Sequence, residues 1–284
     1  NQLLDLSPEF YLTQRIRMAD HKAKSHKVGV QIRPNHVEWS TIRDAWVRCD
    51  QIGVDSIWTF DHFFPIDGDP EGSNFECWTL LSAMSQLISH AQIGTLVSCY
   101  SYRNSNLLAD MSRTMNHATN GSFILGIGAG WLDRDYEEYG FAKRNASTRI
   151  LEMEEAIVTI RNRFKKLNPK PIGEIPILIG GLGKRLTLPI VARRADMWNG
   201  WGTPDEFQSL NHVLDGYCRD IGRDPNEIER TVALFEFENE SVYDEYLEAG
   251  ATHIIIVRSG PSYDFKGLEA LLAWRDKRNG LRQE

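Results

Sequence analysis

Apolar residues along the chain follow two alternating rhythms. Short β-prone runs occupy residues 28–32, 56–60, 91–97, 123–127, 175–179, 196–199, 230–237 and 253–257. Between and after them, apolar positions recur every three or four residues, as in Trp39, Ile42, Trp46, Cys49 and Ile52, or Ile150, Met153, Ile157, Ile160 and Phe164. The first pattern predicts buried strands and the second predicts helices with one buried face. Eight strands alternating with eight helices over about 250 residues is the arithmetic of a closed (β/α)8 barrel. The predicted fold is therefore an α/β TIM barrel over residues 28–284, preceded by an extension over 1–27 of unreadable role. A doubly wound open sheet is the competing architecture, but no compositional break divides the chain in two. The connections at 163–168 and 235–240 are short, each a compact loop or an interruption of the chain.

Composition narrows the partners. The 284 residues carry 39 acidic and 32 basic side chains, a formal charge of -7, and no dense basic stripe. Such a balance provides no footprint for a nucleic-acid backbone. No run of 18 apolar residues is present and the amino terminus has no signal-like apolar core, so no membrane partner is expected and the cytoplasm is the expected location. Cys49, Cys77, Cys99 and Cys218 lack CxxC spacing and are read as reduced thiols.

Candidate chemistry gathers where strands end. Asp61 and His62 follow the second strand without a spacer, at the barrel end where binding and catalysis normally sit. They form a candidate acid/base pair, although neighbours in sequence need not touch; the plain alternatives are a cap carboxylate and a rim histidine. His36, after the first strand, is a second candidate. Gly126, Gly128 and Gly130 follow the fourth strand, too late and too closely spaced for a dinucleotide fingerprint. They suit close backbone approach to a flat ligand, or a tight turn. After the fifth strand, Gly180-Gly181-Leu182-Gly183-Lys184-Arg185 offers free amides at a helix start, a seat for phosphate without a P-loop pattern. Trp131, Trp198 and Trp201 are candidate walls of a substrate space, with core packing as the alternative. Arg103 is read as an anchor for an acidic group or a surface ion pair.

With these residues in view, the chain resembles the luciferase-like flavin/deazaflavin superfamily, near its coenzyme F420-dependent oxidoreductases. The resemblance rests on Trp58-Thr59-Phe60-Asp61-His62-Phe63, Ile93-Gly94-Thr95-Leu96-Val97 and Tyr102-Arg103-Asn104. It continues through Leu125-Gly126-Ile127-Gly128-Ala129-Gly130-Trp131, Asn168-Pro169-Lys170-Pro171, Ile177-Leu178-Ile179-Gly180-Gly181, Ala195-Asp196-Met197-Trp198-Asn199 and Gly222-Arg223-Asp224-Pro225, in the family's order. It implies a non-prolyl cis bulge near Ser98-Cys99, with Val97, Ser98 and Cys99 against the ring of the deazaflavin. It further implies Gly128 and Ala129 beside the cofactor, Gly180, Gly181, Leu182 and Gly183 around its phosphate, Asp61 and His62 at the redox face, and a homodimer. The turn Thr119-Asn120-Gly121-Ser122 lacks the family's usual arginine, Asp110 and Asn116 depart from its helix pattern, and the connection before Pro169 lacks the usual long insertion.

The expected reaction is hydride exchange between coenzyme F420 and a small organic substrate. His62 is the expected proton donor or acceptor and Asp61 its orienting group; His36, Trp131, Trp198 and Trp201 are the expected substrate neighbours. The rivals are an FMN-dependent monooxygenase on the same scaffold and a divalent-metal barrel hydrolase using Asp61, His62, His36 and His253. The metal reading is unsupported by HxH or HExxH spacing, so no metal is expected. A cofactor-binding barrel without catalysis is the non-enzymatic alternative.

Overall fold

The predicted apolar runs become strands almost residue for residue. In the computed structural model, which describes residues 25–280, β1 is Lys27–Ile32, β2 Ser56–Thr59, β3 Gln92–Thr95, β4 Ser98–Cys99 and β5 Phe123–Gly128. They are followed by β6 Ile177–Gly180, β7 Met197–Gly200, β8 Glu229–Leu234 and β9 His253–Arg258. Residues 1–24 of the expected extension lie outside the described residues.

All neighbouring strands pair in parallel, in the order β3-β2-β1-β9-β8-β7-β6-β5, and β3 pairs with β5 to close the barrel. Closure excludes the open-sheet alternative. The short β4 pairs with the end of β5 and continues the line of β3 after a kink, so eight positions surround the barrel axis. The helices are α1 Trp39–Gln51, α2 Cys77–Met84, α3 Ser105–Ala118, α4 Asp133–Tyr139 and α5 Ala146–Phe164. After them come α6 Thr187–Arg194, α7 Pro204–Asp220, α8 Glu240–Glu248 and α9 Leu268–Arg278. The short α4 is absent from the sequence reading because seven residues hold too little periodicity to register. Residues 235–237, read as strand, leave the ladder after Leu234, and Phe235 is exposed. Both short connections are compact: turn bonds from Lys166 and Leu167 to the Arg163 carbonyl close α5, and Asn239 caps α8.

Alternation along the strands divides the core in two. Outward residues such as Val28, Ile57, Ile93 and Ile177 pack beneath the helices. Inward residues Trp58, Leu96, Ile124, Leu178, Met197 and Ile255 fill the barrel interior. A parallel sheet covered on both faces needs this near-continuous apolarity. Trp198, expected at the substrate space, is fully buried in the outer layer, stacked on Phe207 at 5.2 Å. Its indole donates to the Gly181 carbonyl at 2.8 Å, so it supports the site from behind and is not part of the cleft lining.

At the amino-terminal end the interior is polar. His253 Nδ1 meets Glu229 at 2.9 Å, its Nε2 meets the Ser56 hydroxyl at 2.9 Å, and Ser56 accepts from the Trp58 indole at 2.6 Å. Lys27 reaches Glu229 at 2.9 Å from the other side. This placement separates His253 from Asp61 and His62, which stand beyond the opposite ends of their strands, so the four proposed metal ligands do not converge. Burial alone would raise the Glu229 carboxyl, but the His253 and Lys27 contacts outweigh it and bring it from 4.5 to about 2. A carboxyl lowered on folding stabilises the fold above its unfolded pKa and loses that contribution as pH falls through the folded one. Glu229→Gln should therefore be less stable than wild type at neutral pH, with the gap closing between pH 4.5 and about 2 in denaturant titrations; a gap independent of pH would refute this role.

Candidate active site

The cleft opens at the carboxyl end of the barrel, with a volume of about 480 Å³. Its mouth is shaped by a kink between two ladders. Leu96 donates its amide to the Thr59 carbonyl at 2.8 Å, ending the pairing of β3 with β2, and Ser98 and Cys99 resume pairing with β5. Between them lies a cis peptide at Leu96–Val97. The resemblance placed that bulge near Ser98-Cys99; the extended ladder at Ser98 and Cys99 pushes it two residues earlier. Gln31 Nε2 holds the Leu96 carbonyl, and the Thr95 hydroxyl holds the Gly126 carbonyl at 2.7 Å.

The glycines answer to this kink. A Cβ on Gly126 would sit 1.8 Å from the Thr95 carbonyl oxygen, one on Gly128 2.6 Å from Val97 Cγ2, and one on Gly180 3.1 Å from Val97 Cγ1. Their lack of side chains lets the Val97 isopropyl group lie across the mouth. Val97, Cys99, Gly128, Ala129, Gly180 and Gly181 all line the cleft, whereas Ser98 is buried and accepts from the Trp78 indole at 2.9 Å. The Cys99 thiol contacts the Ser101 and Tyr136 hydroxyls, and burial pushes its pKa up, so it stays protonated.

The strand-end pair splits into two separate devices. Asp61, buried, accepts two hydrogen bonds from the Arg103 guanidinium, one at 2.9 Å from Nη2. Arg103 also reaches Glu76 at 3.0 Å, while Glu76 caps α2 by accepting from the Trp78 and Thr79 amides. Burial works against the Arg103 charge, yet the carboxylates around it prevail and raise its pKa. Arg103 is thus an internal strut. Removing one member of such a pair strands a buried charge, at a cost of about 3–5 kcal/mol.

His62 turns the other way. Its Nδ1 lies 2.6 Å from Asp135 Oδ2, and the ring meets the edges of Phe60 and Trp131, each at 5.3 Å between centroids. Asp135 is fully buried and also accepts from the Tyr102 hydroxyl at 2.7 Å and the Phe63 amide at 3.1 Å. Burial first, then Cys99 and Asp135, push the Tyr102 phenol far above its ordinary value, so it remains a donor. Asp135 stands in the first turn of α4, where a carboxylate is favoured by the helix dipole. With Nδ1 turned to Asp135, Nε2 makes no hydrogen bond to a described residue.

The glycine loop after β6 keeps some of the features expected of an anion seat. Gly181 has φ 139°, and a Cβ on Gly183 would fall 2.6 Å from the Thr187 hydroxyl. The amides of Leu182, Gly183 and Lys184 donate to no described residue, in front of α6, which begins at Thr187 and not near Lys184. Leu182 and Gly183 flank the cleft lining, and exposed Lys184 leans onto Ser209 of α7 at 3.3 Å. His36 is not brought to the cleft: its Nε2 meets the Asp67 carbonyl oxygen at 2.8 Å, and its ring lies against Gly68 and Gly72. Trp131 and Trp201 line the cleft and are exposed.

Sequence reasoning missed Asp135, Gln31, Thr187, Asn199 and Phe235. Asp135 lies 73 residues from His62 within an acidic run that reads as a solvated face, so only its wholly buried position reveals it. Thr187 and Gln31 carried a weak signal, a polar residue at a helix start and one inside an apolar strand.

The chain belongs to the luciferase-like monooxygenase family, whose model matches residues 22–255. Over 188 residues it is 29% identical to an F420-dependent glucose-6-phosphate dehydrogenase of Amycolatopsis mediterranei, covering 60% of this chain and 54% of that protein. The alignments span about half the length of the first curated relatives. Among solved structures, an F420-dependent secondary alcohol dehydrogenase in complex with an F420-acetone adduct superposes with TM-score 0.76 at 15% identity, covering 91% of this chain and 98% of that one. The F420-dependent tetrahydromethanopterin reductase of Methanopyrus kandleri gives 0.69 at 13% identity, covering 87% and 97%. At such identities the structures establish the shared barrel.

If Val97 is what demands glycine at 128, Gly128→Ala should destabilise the fold by about 1–3 kcal/mol. The same change in a Val97→Ala background should cost markedly less, a coupling read from a double-mutant cycle by urea unfolding. Equal costs in both backgrounds would show that Gly128 answers to something else.

Proposed function

We propose that the protein is an oxidoreductase that uses coenzyme F420 to exchange hydride with a small organic substrate. The observation that carries this reading is His62, held by the buried Asp135 beside a glycine-lined slot at the carboxyl end of the barrel. The F420-dependent relatives and the family membership support it. When bound, the deazaflavin supplies two-electron hydride chemistry.

The residues present fit that coenzyme. Val97 and the ladder through Cys99 give a fixed apolar backing for a flat ring, with Gly128 and Gly180 leaving Val97 room to lie across the mouth and Ala129 beside it. The free amides of Leu182 to Lys184 and the Thr187 hydroxyl suit a phosphate, since backbone N–H groups at a helix start favour an anion. His62 Nε2 takes or returns the proton that accompanies hydride exchange, and Asp135 fixes the ring and its tautomer. Asp61 acts through Arg103 to hold the strand end in place. A homodimer remains part of the proposal, to be read from solution mass.

His62→Ala should keep coenzyme affinity while turnover falls by about 10²–10⁴-fold, the usual worth of a positioned acid or base. Unchanged rates with several substrates would remove the proton-transfer role. Asp135→Asn should preserve binding, lower turnover by roughly 10–100-fold and move the pH profile, as expected when the partner that fixes a histidine's tautomer loses its charge. Titration of the apo-protein with F420 and with FMN separates the two cofactor readings. Tight FMN binding without F420 binding would favour a monooxygenase and sink this proposal.

A further inference from the structure

The charged side chains that line the cleft are each paired within the protein. Apart from the Cys99 thiol, the ionisable side chains among its lining residues are Arg33, Asp61 and His62. Arg33 Nη1 is paired with Asp67 at 2.6 Å, Asp61 with Arg103, and His62 with Asp135. Asp67 is a committed counter-charge. Burial would raise its pKa, but Asn35, Arg33 and Ser259 contacts prevail and lower it, keeping the carboxylate ionised against Arg33. Arg149, at the rim, spends its guanidinium on the Gly130 and Arg144 carbonyls. The lining therefore offers no uncommitted cation beside His62.

Its walls are apolar instead. Phe60 and Trp131 stand against His62, and Ile66, Ile150, Trp201 and Phe235 also line the cleft. Trp131, Trp201 and Phe235 are 58%, 44% and 54% exposed, a cost in free energy that a ligand covering them would recover. An anion entering the same space would lose hydration without finding a counter-charge.

We infer that the substrate is an uncharged, largely apolar molecule with one hydroxyl or carbonyl within reach of His62, and that phosphorylated sugars are rejected. This rests on the functional reading above only in taking His62 to face the substrate.

Binding tests it with a matched pair of probes, menthol and menthyl phosphate, together with glucose 6-phosphate. Calorimetry and tryptophan fluorescence are recorded on the protein with bound F420 and, without it, in excess inorganic phosphate, so that the loop of Leu182 to Lys184 is not free to take the phosphate probes. Menthol should bind at least tenfold more tightly than its phosphate ester and perturb tryptophan emission, glucose 6-phosphate should give no response, and Trp131→Ala should weaken menthol binding by at least tenfold. Equal or tighter binding of either phosphate, or no menthol binding up to its solubility limit, would overturn the inference. Failure of F420 to bind would refute the functional reading, while the probe preference would still be measured in the coenzyme-free protein.

Discussion

The Val97 side chain lying across the barrel mouth is the constraint around which the site is built. It fills space that side chains at 128 and 180 would otherwise take, and the kink that carries it brings the Thr95 carbonyl against Gly126. Two strands, β5 and β6, thereby give up packing volume and β-propensity for a flat, narrow opening. Gln31 on β1 and Thr59 at the end of β2 hold the kink through its backbone, and the Thr95 hydroxyl ties it to Gly126 of β5, so strands on both sides fix its position. A close-packed interior transmits such a local demand instead of absorbing it.

Around this fixed floor, two buried carboxylates divide the labour. Asp61 is consumed by Arg103, which ties the end of β2 to the cap of α2 through Glu76. Asp135 is reserved for His62 and is steadied by Tyr102 and Phe63. The aromatic cluster of Phe63, Tyr102, Tyr136 and Phe141 packs beside Cys99 and seats α4, giving Asp135 a rigid mount. A carboxylate so deeply placed is tolerable only because every contact it makes donates to it. The catalytic reading of His62 consequently depends on a seven-residue helix and an aromatic cluster more than on the residue beside it.

The opposite end of the barrel illustrates the same economy of charge. Glu229, His253 and Lys27 close a polar layer where no ligand chemistry is invoked, and their pairing is a matter of stability. At the carboxyl end, too, the charged side chains that line the cleft, Arg33, Asp61 and His62, each have a partner within the protein, so the space beside His62 is walled largely by apolar surface. What distinguishes the two ends is accessibility: His253 is wholly buried, whereas the aromatic walls beside His62 are open.

Local sequence determined the barrel. Apolar runs of strand length, alternating with three- and four-residue periodicities, specify parallel strands under helices because each element must bury its own face, and all eight strand positions were legible. Glycines at strand ends and His62 after β2 were legible for the same reason, since their chemistry is written within a few residues. The tertiary structure alone decided what those residues face. Asp61 and His62 are adjacent in the chain, yet alternation in an extended segment points them to different partners, 42 and 73 residues away. Trp198 and Trp131 look equivalent in sequence, and only the closed barrel puts one in the core and the other in the cleft. Pairings across such separations depend on ring closure, which no local pattern encodes.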